Sequence, residues 1–68
     1  MIVIFTNAFK GNVSDEIAIN SDLVVSVYPA LTEDNRMITN IFTLNEKTFG
    51  VEENYKTVIA RLNGAKVK

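Results

Sequence analysis

The chain has 68 residues, enough for one domain, and a chain of that size buries only about 60% of the surface its unfolded form exposes. It has no cysteine and no histidine, which excludes a disulfide framework, a thiolate metal site, and the commonest neutral metal ligand and general base. Seven Lys and Arg against eight Asp and Glu give a formal charge of −1 without any block of like charge, so the basic stripe of a phosphate-driven nucleic-acid binder is missing.

Hydrophobic residues make up 47% of the chain, too many for a disordered protein. The opening MIVIF is too short for a secretory leader and lacks its basic flank, and no run approaches the ~20 apolar residues of a membrane helix. A cytoplasmic protein is expected, with no membrane partner. Small scaffolds usually need a staple, and here a partner subunit is the one left open.

Residues 1–9 are rich in Ile, Val, Phe and Thr and predict a strand, with Ile2, Ile4 and Thr6 on one face and Val3, Phe5 and Asn7 on the other. KGNVSD at 10–15 is a turn, because Gly11 and Asn12 accept positive φ cheaply. A short strand over 16–20 sets Ile17 and Ile19 on one face, and NSD at 20–22 bends the chain. DLVVSVYP, residues 22–29, predicts a third strand with Leu23, Val25 and Val27 on one side and Val24, Ser26 and Tyr28 on the other. Pro29 is expected to end it, since proline cannot donate to a ladder.

LTEDNR at 31–36 predicts a solvated loop, and strands over 37–44 and 48–52 form a hairpin around NEK. A type I′ turn there would force Glu46 to positive φ, so a slightly longer loop built on a type I turn is expected. Tyr55, Val58, Ile59 and Leu62 then recur at helical spacing. Asn54 is the expected N-cap, Glu52 and Glu53 suit the positive end of the helix dipole and Arg61 the negative end. Asn63 and Gly64 are the expected left-handed C-cap, closing a single domain over 1–64 before a short basic tail at 65–68. The class is α+β: a small antiparallel sheet or partly closed barrel of four to five strands with one C-terminal amphipathic helix.

Candidate chemistry is sparse. Ser14, Ser21 and Ser26 have no histidine to activate them, so no enzyme is expected. Glu33 with Asp34, and Glu52 with Glu53, are paired carboxylates outside any calcium-loop pattern; they solvate a loop and charge a helix start. Gly11, Gly50 and Gly64 are too dispersed to cradle a phosphate, and Gly50 inside a strand predicts a bulge. No cofactor and no metal are expected.

What stands out is apolar surplus. Val24 and Tyr28 lie opposite Leu23, Val25 and Val27, and Ile38 and Phe42 lie opposite Met37 and Ile41. One short helix stripe cannot cover both faces of such a sheet. At ~25 cal/mol per Å² of apolar area, leaving several of these side chains in water forfeits several kcal/mol, comparable with the whole stability of a small domain. A non-enzymatic interaction module is therefore expected, a homo-oligomer that also contacts a larger protein. The expected partner-binding residues are Val24, Ser26 and Tyr28 with the loop Thr32, Glu33, Asp34, Asn35 and Arg36, and Tyr28 is the expected anchor. A second reading is an RNA or single-stranded nucleic-acid binding regulator that uses Phe9, Lys10, Lys66 and Lys68 for stacking and charge. A third is an oligomer that sequesters a metabolite at a subunit interface.

Over residues 17–62 the pieces INSDLVVSV, IFTLNEKTFGVEENY and VIARL follow one another in an order that resembles the small flagellar-operon proteins of the FlbD type and similar short phage-encoded proteins. Their pattern is an apolar-Asn-x-Asp/His start, an IVSV-like strand, a loop, a hairpin, and an acidic Val-x-Glu before a terminal amphipathic helix. The usual hairpin glycine is Glu46 here, and the loop before the hairpin is longer. The resemblance implies a small cytoplasmic accessory protein acting through contacts, such as a regulatory factor or a phage-encoded inhibitor of a larger host protein. It carries over no functional residue.

Overall fold

The computed structural model describes residues 1–9 and 16–66. Among these the chain forms β1 (Ile2–Thr6), β2 (Glu16–Asn20), β3 (Val24–Leu31), β4 (Met37–Thr43), β5 (Thr48–Val51) and α1 (Tyr55–Lys66). β1 and β2 form an antiparallel two-stranded sheet, and β3, β4 and β5 an antiparallel meander in sequence order. The strands make two sheets and do not close into a barrel.

Strand alternation sets the core. Val3 pairs with Ile19 and Phe5 with Ile17, so these four share the inner face of the first sheet, while Ile2, Ile4 and Ala18 face outward and are exposed. Phe5, Ile19, Ile41, Val51, Val58 and Leu62 are buried together, with Val3, Ile17, Val24, Val27 and Phe49 packed at the margin. Val58 and Leu62 supply the helix face that seals this core. The expected cap is in place: Asn54 Oδ1 accepts from the Thr57 N–H at 2.8 Å.

The sheets join where Asn7 bridges Val51. The Ala8 N–H donates to the Gly50 carbonyl and the Glu52 N–H to the Thr6 carbonyl, both at 2.9 Å. Beyond that junction Glu53, ahead of α1, and Arg61 of α1 take over the outer edge of β1. The Glu53 carboxylate accepts from the Thr6 N–H at 3.0 and 3.1 Å, and Arg61 Nη1 donates to the Ile4 carbonyl at 3.0 Å.

The two hairpins of the meander use the same loop. Thr32 and Arg36 close one and Thr43 and Lys47 the other, with the Thr N–H donating to the Arg or Lys carbonyl at 2.9 Å. In each, the threonine carbonyl accepts from the N–H three residues on, at 3.0 Å, and that third residue, Asn35 or Glu46, has φ near +64° or +63°. This is the type I turn followed by a left-handed residue that three-residue hairpin loops adopt. The expected type I turn is there, yet Glu46 still takes positive φ.

Several expectations are corrected. β3 runs through Pro29 to Leu31. Counting back along the ladder from the hydrogen-bonded Thr32–Arg36 pair, Pro29 opposite Thr39 falls in a non-hydrogen-bonded pair on an edge strand, so its missing N–H leaves no ladder bond unmade. Val24 pairs with Thr43 but Ser26 with Phe42, which makes Val25 the extra residue of a bulge. The bulge turns Val24 inward beside Val27, away from Ser26 and Tyr28. No bulge lies at Gly50, whose register with Asn40 is regular. The helix does not stop at Asn63 and Gly64 but continues to Lys66, and no described glycine has positive φ. A glycine in an exposed last turn costs a helix only about 1 kcal/mol. The 10–15 turn, with Lys10 and Ser14, and Lys68 lie outside the described residues.

Candidate interaction surface

With Val27, Thr39, Ile41 and Val51 turned to the core, the other side of the meander carries Ser26, Tyr28 and Ala30 from β3, Ile38, Asn40 and Phe42 from β4, and Thr48 and Gly50 from β5. Tyr28 stands opposite Asn40, and Ser26 opposite Phe42. Part of this face is covered by the chain itself. A Cβ on Gly50 would lie 3.1 Å from Ile38 Cδ1 and 3.2 Å from Phe9 Cδ2, and closer still to Phe9 Cε2. Only glycine leaves room for that ring, and beneath it Ile38 is 4% exposed. The rest of the face stays open: Tyr28 is 43% exposed and Phe9 59%.

Polar bonds hold Phe9 in place. Asn7 Oδ1 accepts from the Phe9 N–H at 3.0 Å, and Arg36 Nη2 donates to the Ala8 carbonyl at 3.2 Å. The same guanidinium pairs with Asp34 at 3.3 Å and Glu52 at 3.8 Å. The Thr32 hydroxyl donates to Asp34 Oδ1 and accepts from the Arg36 N–H at 3.0 Å. That hydroxyl, above all, holds the Asp34 carboxyl below the usual carboxylate range; partial desolvation opposes it, and the Asp34 N–H and Arg36 assist. The loop is thereby a shaped rim, and with Phe9 and Leu31 it encloses a concavity of about 510 Å³ lined also by Thr32, Glu33, Asp34 and Arg36.

The structure thus brings Ser26 and Tyr28 onto one face and sets Thr32, Glu33, Asp34, Asn35 and Arg36 at its end. Val24 is excluded, since it packs on the core. Phe9 joins the loop instead of a basic surface, and Lys66 lies at the far end of α1. Phe42 and Met37 belong to the expected apolar surplus without being named as contact residues, and Leu31 joins them. Leu31 and Met37 form a cross-strand pair flanking the first loop, 62% and 66% exposed, legible only once the hairpin register is known.

Among the described residues the two serines singled out lie apart from one another in setting. Ser21 is 1% exposed with its hydroxyl unpartnered, and Ser26 is exposed on a strand. Among the described residues no three Asp or Glu side chains gather as a metal site would require. No described helix is long and apolar enough to cross a membrane. The chain matches no protein-family model, and no curated protein or solved structure matches it.

Proposed function

We propose that the protein is a non-enzymatic interaction module that self-associates and regulates or blocks a larger protein by contact. The observation that carries this reading is the outer face of the meander: it presents Tyr28 and Phe42, Phe9 is fixed over Gly50 on the same face, and a loop ordered by Arg36 forms the rim. Exposed aromatics beside an arginine are the residue types that anchor protein interfaces. Eleven large apolar side chains stand 39–66% exposed among the described residues, more surface than one short helix hides and a reason for a second copy. The concavity beside Phe9 carries two carboxylates to one guanidinium, which opposes phosphate and favours protein. The likeness to FlbD-type and short phage proteins supports an accessory or inhibitory role.

Capture from a lysate of the source organism, with wild type and Tyr28→Ala side by side, tests the outer face. The expected result is one protein retained by wild type and lost by Tyr28→Ala, with the variant's melting temperature unchanged. Equal retention by both overturns the assignment of this face. Light scattering over a concentration series tests self-association.

A further inference from the structure

Among the described residues, three of the four exposed strand edges are occupied or interrupted. The outer edge of β1 is taken by the Asn7–Val51 junction and by Glu53 and Arg61. That of β5 is occupied from Gly50 to Glu52 by Thr6 and Ala8. On β3 the groups pointing outward fall at Val27, Pro29 and Leu31, where proline removes the central N–H, and the Val25 bulge bends the other end. Proline and bulges are how edge strands resist added strands.

β2 has neither device. The Ser21 N–H donates to the Met1 carbonyl at 2.8 Å, and alternation from there makes Val3–Ile19 and Phe5–Ile17 hydrogen-bonded pairs and Ile4–Ala18 a non-hydrogen-bonded one. The Ala18 N–H and C=O therefore point away from β1, and its side chain is exposed. Beside this edge lies a cleft of about 280 Å³. Ala18, Ile19 and Asn20 of β2 with Ile2 of β1 line one wall; Leu23, Thr43, Asn45 and Phe49 line another, and none of these is charged.

We propose that a second copy completes this edge: two β2 strands pair antiparallel about a two-fold axis at Ala18, joining the hairpins into a four-stranded sheet. The proposal rests on the self-association reading above and names its surface. β2 is complementary to itself in charge and size. Glu16 stands opposite the partner's Asn20, so no like charges meet, and Ile17 stands opposite the partner's Ile19 on the inner side. Ala18, the smallest side chain of the strand, meets the partner's Ala18 at the axis. The partner's Ile17 and the partner's Ile19 then extend the apolar inner face over the cleft that holds Leu23 and Phe49. The contact is isologous and closes on itself, so assembly stops at a dimer.

Pro29 suggests the test. Ala18→Pro sets a proline at the same kind of position: it removes the outward N–H and keeps every β1–β2 ladder bond. Ala18→Lys is a second variant, which brings two cations together at the axis. Expected for wild type is a mass rising with concentration to twice the monomer, and roughly tenfold slower hydrogen exchange at the Ala18 amide in the dimer than in dilute solution. Both variants should stay folded and monomeric where wild type is dimeric. Variants that remain dimeric, or an Ala18 amide whose exchange ignores concentration, overturn the pairing while self-association stands. Dissociation by Tyr28→Ala and not by the Ala18 variants places the interface on the meander and overturns it too. A wild type monomeric at every concentration overturns self-association itself, and this proposal with it. Should Ala18→Pro unfold, Ala18→Lys and wild-type exchange decide.

Discussion

Glu53 and Arg61, 3.2 Å apart, together stand where a neighbouring strand would run along β1. The carboxylate plays the part of a strand carbonyl, accepting from the Thr6 N–H and, at 3.0 Å, from its hydroxyl. The guanidinium plays the part of an N–H, donating to the Ile4 carbonyl and lying 5.7 Å from the Phe5 ring centre. The Thr39 hydroxyl fixes the arrangement by donating to the Glu53 carbonyl at 2.8 Å. An ion pair between Glu53, just before the helix, and Arg61 within it thus satisfies backbone groups that a two-stranded sheet leaves bare.

Burial pushes the Glu53 carboxyl up, but hydrogen bonds from the Thr6 N–H, its own N–H and the Thr6 hydroxyl, with the charge of Arg61, hold it below the usual carboxylate range. Its folded value therefore lies below its unfolded one. The stabilisation is complete above the unfolded value, about 4.3, and is lost as pH falls through the lower folded value. Glu53→Gln should cost about 1–3 kcal/mol at neutral pH, with urea unfolding as the measure. It should also flatten the acid limb of the stability curve. Wild-type and variant curves that stay parallel between neutral pH and pH 3 would contradict this role.

Gly50→Ala drives a methyl into the Phe9 ring. Overpacking of this kind costs about 1–3 kcal/mol. Because the hardest clash is with Phe9, ahead of Ile38, Phe9→Ala in the same chain should recover much of the loss, a coupling readable in a double-mutant cycle. Independent, additive effects would show that the ring does not constrain this glycine.

Ser21 is the described residue with a buried and unpartnered side-chain oxygen. Ser21→Ala removes an unsatisfied hydroxyl and should raise stability by about 1 kcal/mol, seen as a higher denaturation midpoint with unchanged slope. A drop in midpoint would mean that the hydroxyl has a partner in solution.

The twin hairpin loops differ in what occupies the left-handed position, Asn35 in one and Glu46 in the other. Asparagine adopts that conformation at lower cost than glutamate. Glu46→Gly should therefore stabilise by about 0.5–1 kcal/mol, and Asn35→Gly should change little. Thermal melts of the two variants check the ranking; equal shifts would refute it.

Much of the fold can be read along the chain. β2 spans the expected five residues, and β4 and β5 lie within a residue of expectation. Asn54 caps the helix whose stripe includes Val58 and Leu62. These features depend on neighbours a few residues apart. The candidate surface is legible only in part: Ser26, Tyr28 and the loop 32–36 are where alternation and turn chemistry set them, but Val24 is not. A bulge belongs to a pair of strands, and the sequence of one strand does not announce it. Likewise the reason for Gly50 lies with Phe9, forty-one positions earlier, and no local pattern connects the two.

Local chemistry in the chain settles which segments are extended, where they turn and where the helix begins, because φ/ψ preference, side-chain periodicity and capping act over a few bonds. Packing settles the remainder: that β3 continues through Pro29, that Val24 turns inward, and that Phe9 roofs one end of the meander. It also turns the Ala18 backbone groups away from β1 and seals β1 with Glu53 and Arg61. Each of these depends on which backbone groups and surfaces distant segments satisfy for one another, a condition met only once the whole chain has come together.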